Sequence, residues 1–153
     1  MVHRLAGLME EKTRQLRQAG TFAAYREIHA DYAGLVSDPD SGTEALKRAL
    51  FLGWLSSVEP ACFTGVAELE QDAQRVVLEE LGSRATHDAL DAELRWMLSW
   101  YYSVADYYFA GRMAPALQAI LRSEGWPVPP LAERDCQSRG QMGRYWATIV
   151  TKG

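Results

Sequence analysis

The chain has 153 residues, of which 48% are hydrophobic, 24% charged and 10% aromatic, with a formal net charge of −4. That length suits one core-forming domain, the apolar content excludes a disordered chain, and the small acidic charge argues against a nucleic-acid binder. Cys62 and Cys136 cannot make a disulfide framework, no apolar run reaches the length of a membrane span, and Glu10, Glu11 and Lys12 stand where a secretory leader needs its apolar stretch; the expectation is a soluble cytoplasmic protein with no membrane partner.

The inventory favours helix: Ala and Leu dominate, Asn is absent, and Gly and Pro fall mainly between periodic segments. The spacing predicts six helices. The first runs from about Val2 to Gln18, with Leu5, Leu8, Met9, Leu16 and Ala19 on one face and Gly20 as its stop. The second follows Thr21, read as its N-cap, and extends to about Ser37, with Phe22, Tyr25, Ile28, His29, Tyr32, Leu35 and Val36 on one side. Asp38-Pro39-Asp40-Ser41-Gly42 is a turn by composition.

The third helix, about Thr43 to Val58, begins amphipathic and becomes apolar all round through Ala49–Leu55, the mark of an element surrounded by neighbours. It must end near Glu59, because Pro60 disfavours helical geometry in the residue before it. The fourth is expected from about Thr64 to Leu81, with Val66, Leu69, Ala73, Val76, Val77 and Leu81 inward, an acidic outer face, and Gly82 as its stop. The fifth, about His87 to Ala110, is the longest, and the sixth runs from Pro115 to Gly125.

Beyond these, Trp126-Pro127-Val128-Pro129-Pro130 reads as extended, and Tyr145–Val150 has strand propensity without a strand to pair with. Residues 1–110 carry 10 basic and 17 acidic residues, net −7, whereas 111–153 carry 6 and 3, net +3. The whole is therefore an all-α helical bundle over 1–125, with a Pro-rich, basic, extended C-terminal tail over 126–153 strapped across its own bundle or across a partner subunit.

The chain carries none of the common catalytic or nucleotide-binding motifs. GxGxxG, Gly-Lys-Ser/Thr, HExxH, Glu-x-x-His and GxSxG are all absent, which leaves no argument for a phosphate loop, a zinc protease, a di-iron bundle or an α/β-hydrolase. His3, His29 and His87 never form an i, i+4 pair, so no metal and no cofactor are expected. His29, at the edge of an apolar helix face, reads as a hydrogen-bonded core histidine, with ligand binding as the alternative.

The fifth helix is the most informative segment, with seven aromatics between Trp96 and Phe109. Leu90, Leu94, Met97, Leu98, Tyr101, Val104, Ala105 and Tyr108 form one stripe; Trp96, Trp100 and Tyr107 form a second beside it. Two stripes mean two packing surfaces, one for the core and one for further helices, a ligand or another copy of the chain. Glu93 falls inside the apolar arc, where a carboxylate must pair, hydrogen-bond or take up a proton. Glu59, at the end of the all-apolar helix, either lines a cavity or emerges into solvent.

Two functions from different classes fit these residues. The first is a non-catalytic bundle acting through protein–protein contacts, self-associating as a homodimer, with Trp96, Trp100 and Tyr107 as interface candidates. The second is a small-molecule-binding bundle or enzyme, with a pocket walled by Trp54, Trp100 and Tyr101 and served by the carboxylates Glu59 and Glu93. The first is preferred, because no catalytic motif is present.

Overall fold

A computed structural model describes residues 2–111, 113–122 and 133–152. They are all-α, with no strand among them. No helix among the described residues is long and apolar enough to cross a membrane. The chain divides into two compact units, Met1–Glu80 and Leu81–Gly153.

The first unit holds α1 (Val2–Gln18), α2 (Thr21–Ala33), α3 (Gly42–Val58), α4 (Ala61–Thr64) and the start of α5 (Gln71–Thr86). Gly20 has φ 75°, a left-handed conformation that costs glycine little, and it turns the chain between α1 and α2. Gly20, not Thr21, is the N-cap of α2. That helix ends at Ala33 rather than near Ser37. The Asp38 carboxylate then organises the turn before α3, accepting from the backbone N–H of Asp40 (3.1 Å) and Ser41 (2.9 Å) and from the Ser41 hydroxyl (2.9 Å). Those bonds hold the Asp38 carboxyl below its ordinary pKa.

The all-apolar stretch of α3 is the centre of this unit: Leu46, Ala49, Leu50, Phe51, Leu52, Trp54 and Leu55 are all buried. Glu59 is extended, as the following proline requires, and ends the helix. The helix expected from Thr64 to Leu81 is shifted along the chain to Gln71–Thr86, and the short α4 precedes it. Gly65 at φ 75° closes α4, and α5 starts only at Gln71. Gly65 also lets Thr21 come close, since a Cβ there would lie 2.7 Å from the Thr21 Cγ2.

The second unit holds the end of α5, then α6 (Ala92–Val104), a 3-10 turn (Asp106–Phe109), α7 (Pro115–Arg122), α8 (Glu133–Cys136) and α9 (Gly140–Lys152). Gly82 does not stop α5. It is buried in mid-helix, with its Cβ position 3.3 Å from the Ala114 Cβ, so it serves close packing and not termination. The long helix expected over 87–110 starts late, because the Asp91 carboxylate caps α6 by accepting from the Leu94 N–H at 2.7 Å. It also stops early at Ala105, and the tighter 3-10 winding that follows buries both Tyr108 and Phe109 while Tyr107 faces solvent.

The extended reading of the C-terminus is corrected for residues 140–152, which are helical. With no strand to pair with, the Tyr145–Val150 run follows the helical repeat that puts Met142 and Trp146, four residues apart, on one buried face. The Trp126–Pro130 segment, expected to be extended, lies outside the described residues.

Candidate functional site

The second aromatic stripe of α6 meets a helix of its own chain. Trp146 of α9 is buried against three α6 rings, with centroids 4.6 Å from Trp96, 6.2 Å from Trp100 and 5.7 Å from Tyr101. Tyr145, beside it, has its ring 5.2 Å from Trp146 and accepts a 2.7 Å hydrogen bond at its hydroxyl from the Trp100 indole N–H. Trp96 and Trp100 are consequently half-buried, and of the three expected interface residues only Tyr107 is exposed. Tyr101 is fully buried, and burial pushes its phenol above the ordinary range; the Trp146 side chain and the Arg139 charge act the other way, while Tyr145 and Tyr108 add to the rise.

Glu93 occupies the first turn of α6, where the helix dipole favours a negative charge. Its carboxylate accepts a 2.6 Å hydrogen bond from the guanidinium of Arg139, in the turn between α8 and α9. The side chains are 23% and 11% exposed, so this is a charge-assisted bond largely out of water. A carboxylate set in an apolar arc thus acquires an opposite charge from a segment 46 residues away. Arg139 holds α9 against α6 at one end of the contact, and the Trp100–Tyr145 bond does so further along.

The other sequence-derived residues lie elsewhere. Trp54 and Glu59 belong to the first unit; Glu93, Trp100 and Tyr101 belong to the second. Trp54 is buried with its ring 6.3 Å from that of Phe51, and Glu59 emerges into solvent. His29 is a buried residue of α2, and its Nδ1 has no hydrogen-bond partner among the described residues. Burial pushes its pKa down to about 4, so the ring is neutral near pH 7. Among the described residues no group of three or more His, Cys, Asp or Glu side chains is placed to hold a metal ion.

Sequence periodicity did not anticipate the surface of the first unit. Leu5 and Leu8, grouped by the helical wheel with the inward face of α1, are 56% and 58% exposed, whereas Met9 and Leu16 are half-buried. Phe63 of α4 is 58% exposed, with the Lys12 ammonium 5.6 Å from its ring centroid. Ile28 and Leu35, expected to face inward from the second helix, are also exposed; Phe22, His29, Ala33 and Val36 take the buried side. An open groove of about 430 Å³ runs beside α1, floored by Met9, Pro60, Ala61 and Cys62 and edged by Arg14 and Arg17. No signal in the sequence separates Leu5 and Leu8 from Met9 and Leu16, since all four share one apolar arc of α1.

Neither protein-family models, nor curated proteins, nor solved structures contain a match to this chain.

Proposed function

We propose that this is a non-catalytic helical protein that acts through contacts with other protein chains, with self-association as a homodimer the simplest case. The observation that supports it most is where large apolar side chains meet solvent. Six of the eight that are exposed among the described residues lie in the first unit: Leu5, Leu8, Ile28, Leu35, Phe63 and Val76. Neighbouring apolar side chains open to water are the usual mark of a contact site, and Leu5 and Leu8, one turn apart on α1, are the closest such pair. The carboxylate that suggested acid–base chemistry, Glu93, is bonded to Arg139 and serves to hold α9 on α6. Burial of both thiols, Cys62 and Cys136, suits the reducing cytoplasm in which we place the protein.

The test is native mass spectrometry of freshly purified protein over a concentration series. A dimer mass in the low micromolar range, with no additional bound mass, is the expected result. A monomer persisting at high micromolar concentration overturns self-association, and a retained small molecule at one equivalent overturns the non-catalytic reading.

A further inference from the structure

Helix α1 carries an exposed face that is apolar and basic at once. At about 100° per residue, Arg4, Leu5, Leu8, Lys12 and Gln15 fall within an arc of about 100°, and all five are exposed. Phe63 of α4, also exposed, extends that face, with the Lys12 ammonium 5.6 Å from its ring centroid. No acidic residue lies inside the arc. Glu11 borders it, and its carboxylate accepts hydrogen bonds from the Arg14 guanidinium and, at 3.2 Å, from the Gln15 amide. Glu10 lines the groove on the other flank of α1. The positive charge is local: residues 1–18 carry 4 basic and 2 acidic residues, net +2, whereas 19–80 carry 4 and 11, net −7. Helix α1 is thus the basic part of an acidic unit, and it rests on that unit shallowly. Met9, Thr13 and Leu16 are half-buried, and no described side chain of α1 is fully buried.

We propose that this face docks on an anionic phospholipid surface, with α1 lying in the plane of the headgroups. Leu5, Leu8 and Phe63 enter the acyl boundary, while Arg4 and Lys12 lay their stems along the apolar layer and meet lipid phosphates with their charges. Charge complementarity selects that occupant. The face offers two cations and no acid, and the acidic remainder of the unit leaves α1 as the side by which an anionic surface is approached. The side-chain types select lipid over protein. Interface hot spots draw on Trp, Tyr and Arg and are depleted in Lys, whereas an interfacial helix is built from Leu and Phe with flanking Lys and Arg. The expectation of no membrane partner followed from the lack of a spanning run, and a helix lying in the interface needs none. This goes beyond the protein contacts proposed above, for which Ile28, Leu35 and Val76 remain exposed in the same unit.

The test is cosedimentation of the full chain with sucrose-loaded vesicles of phosphatidylglycerol and phosphatidylcholine in equal parts, and of phosphatidylcholine alone. The parent is expected to bind the anionic vesicles at low ionic strength and to be released in high salt. Arg4→Gln and Lys12→Gln should each weaken binding about fivefold, Leu8→Asp should abolish it, and Leu35→Asp, outside the face, should leave it unchanged. The substituted positions are exposed, and a circular dichroism spectrum matching the parent shows that each variant is folded. A folded parent that does not bind the anionic vesicles overturns the proposal, as does equal binding to phosphatidylcholine alone. Binding kept in Leu8→Asp and in both glutamine variants overturns the assignment to α1. Vesicle binding and the dimer mass are separate readouts: a dimer that ignores vesicles overturns this inference and leaves self-association standing, and a monomer that binds them does the reverse. A parent that ignores vesicles and whose dimer is lost in Leu8→Asp gives the face to a second copy of the chain.

Discussion

Acid should weaken this fold through His29. The ring is 1% exposed, its Nδ1 has no hydrogen-bond partner among the described residues, and burial lowers its pKa from 6.5 to about 4. The unfolded chain therefore binds a proton that the folded chain refuses between those two values. Where the unfolded state holds more protons, stability rises with pH. The contribution is complete above about pH 6.5 and disappears progressively down to about pH 4. The full difference of 2.5 pH units corresponds to about 3 kcal/mol, and about 2 kcal/mol of it is lost between pH 7 and pH 5. Urea unfolding at half-unit steps from pH 7.5 to pH 4.5 measures it, with His29→Gln as the reference that carries no titrating ring. The parent should lose about 2 kcal/mol more than the variant over that acidification to pH 5. Parallel pH profiles for the two proteins would refute the argument, whatever the absolute stability of His29→Gln.

Two further predictions concern the second unit. A Cβ at Gly143 would sit 1.9 Å from the carbonyl oxygen of Cys136, and backbone cannot yield as a flexible side chain can, so Gly143→Ala should destabilise the α8–α9 corner by about 2 kcal/mol or more, read by thermal melting. Glu93→Gln removes the charge that Arg139 meets and should cost about 1–2 kcal/mol of stability, with a dependence on salt weaker than that of an exposed pair. An unchanged melting temperature for Glu93→Gln would show that the ion pair contributes nothing measurable.

Much of this architecture is legible in the sequence, and the boundary of what is legible has physical causes. The run Ala49–Leu55 has no polar face, so burial on all sides follows without reference to any partner. Pro60 dictates the end of α3 by sterics alone. The double stripe of α6 likewise announces two neighbours, yet the identity of the second is non-local: Arg139, Tyr145 and Trp146 lie more than 40 residues away and become meaningful only when α9 folds as a helix. Local propensity pointed the other way there, because Tyr, Trp, Ile and Val favour strands until a helical contact outweighs that preference. Gly82 misleads for a related reason: a glycine within a helix and one that ends it look alike until the approach of Ala114 is known. Leu5, Leu8, Ile28 and Leu35 mark the remaining limit, since periodicity reports that a face is apolar and not whether anything covers it.

The clustering of Trp96, Trp100 and Trp146 has an optical consequence. The intense far-ultraviolet transitions of indoles whose rings sit 4.6 and 6.2 Å apart couple, giving the far-ultraviolet circular dichroism spectrum a signed pair of bands that depends on their mutual angle. The band pair therefore reports whether α9 is seated on α6, without any label.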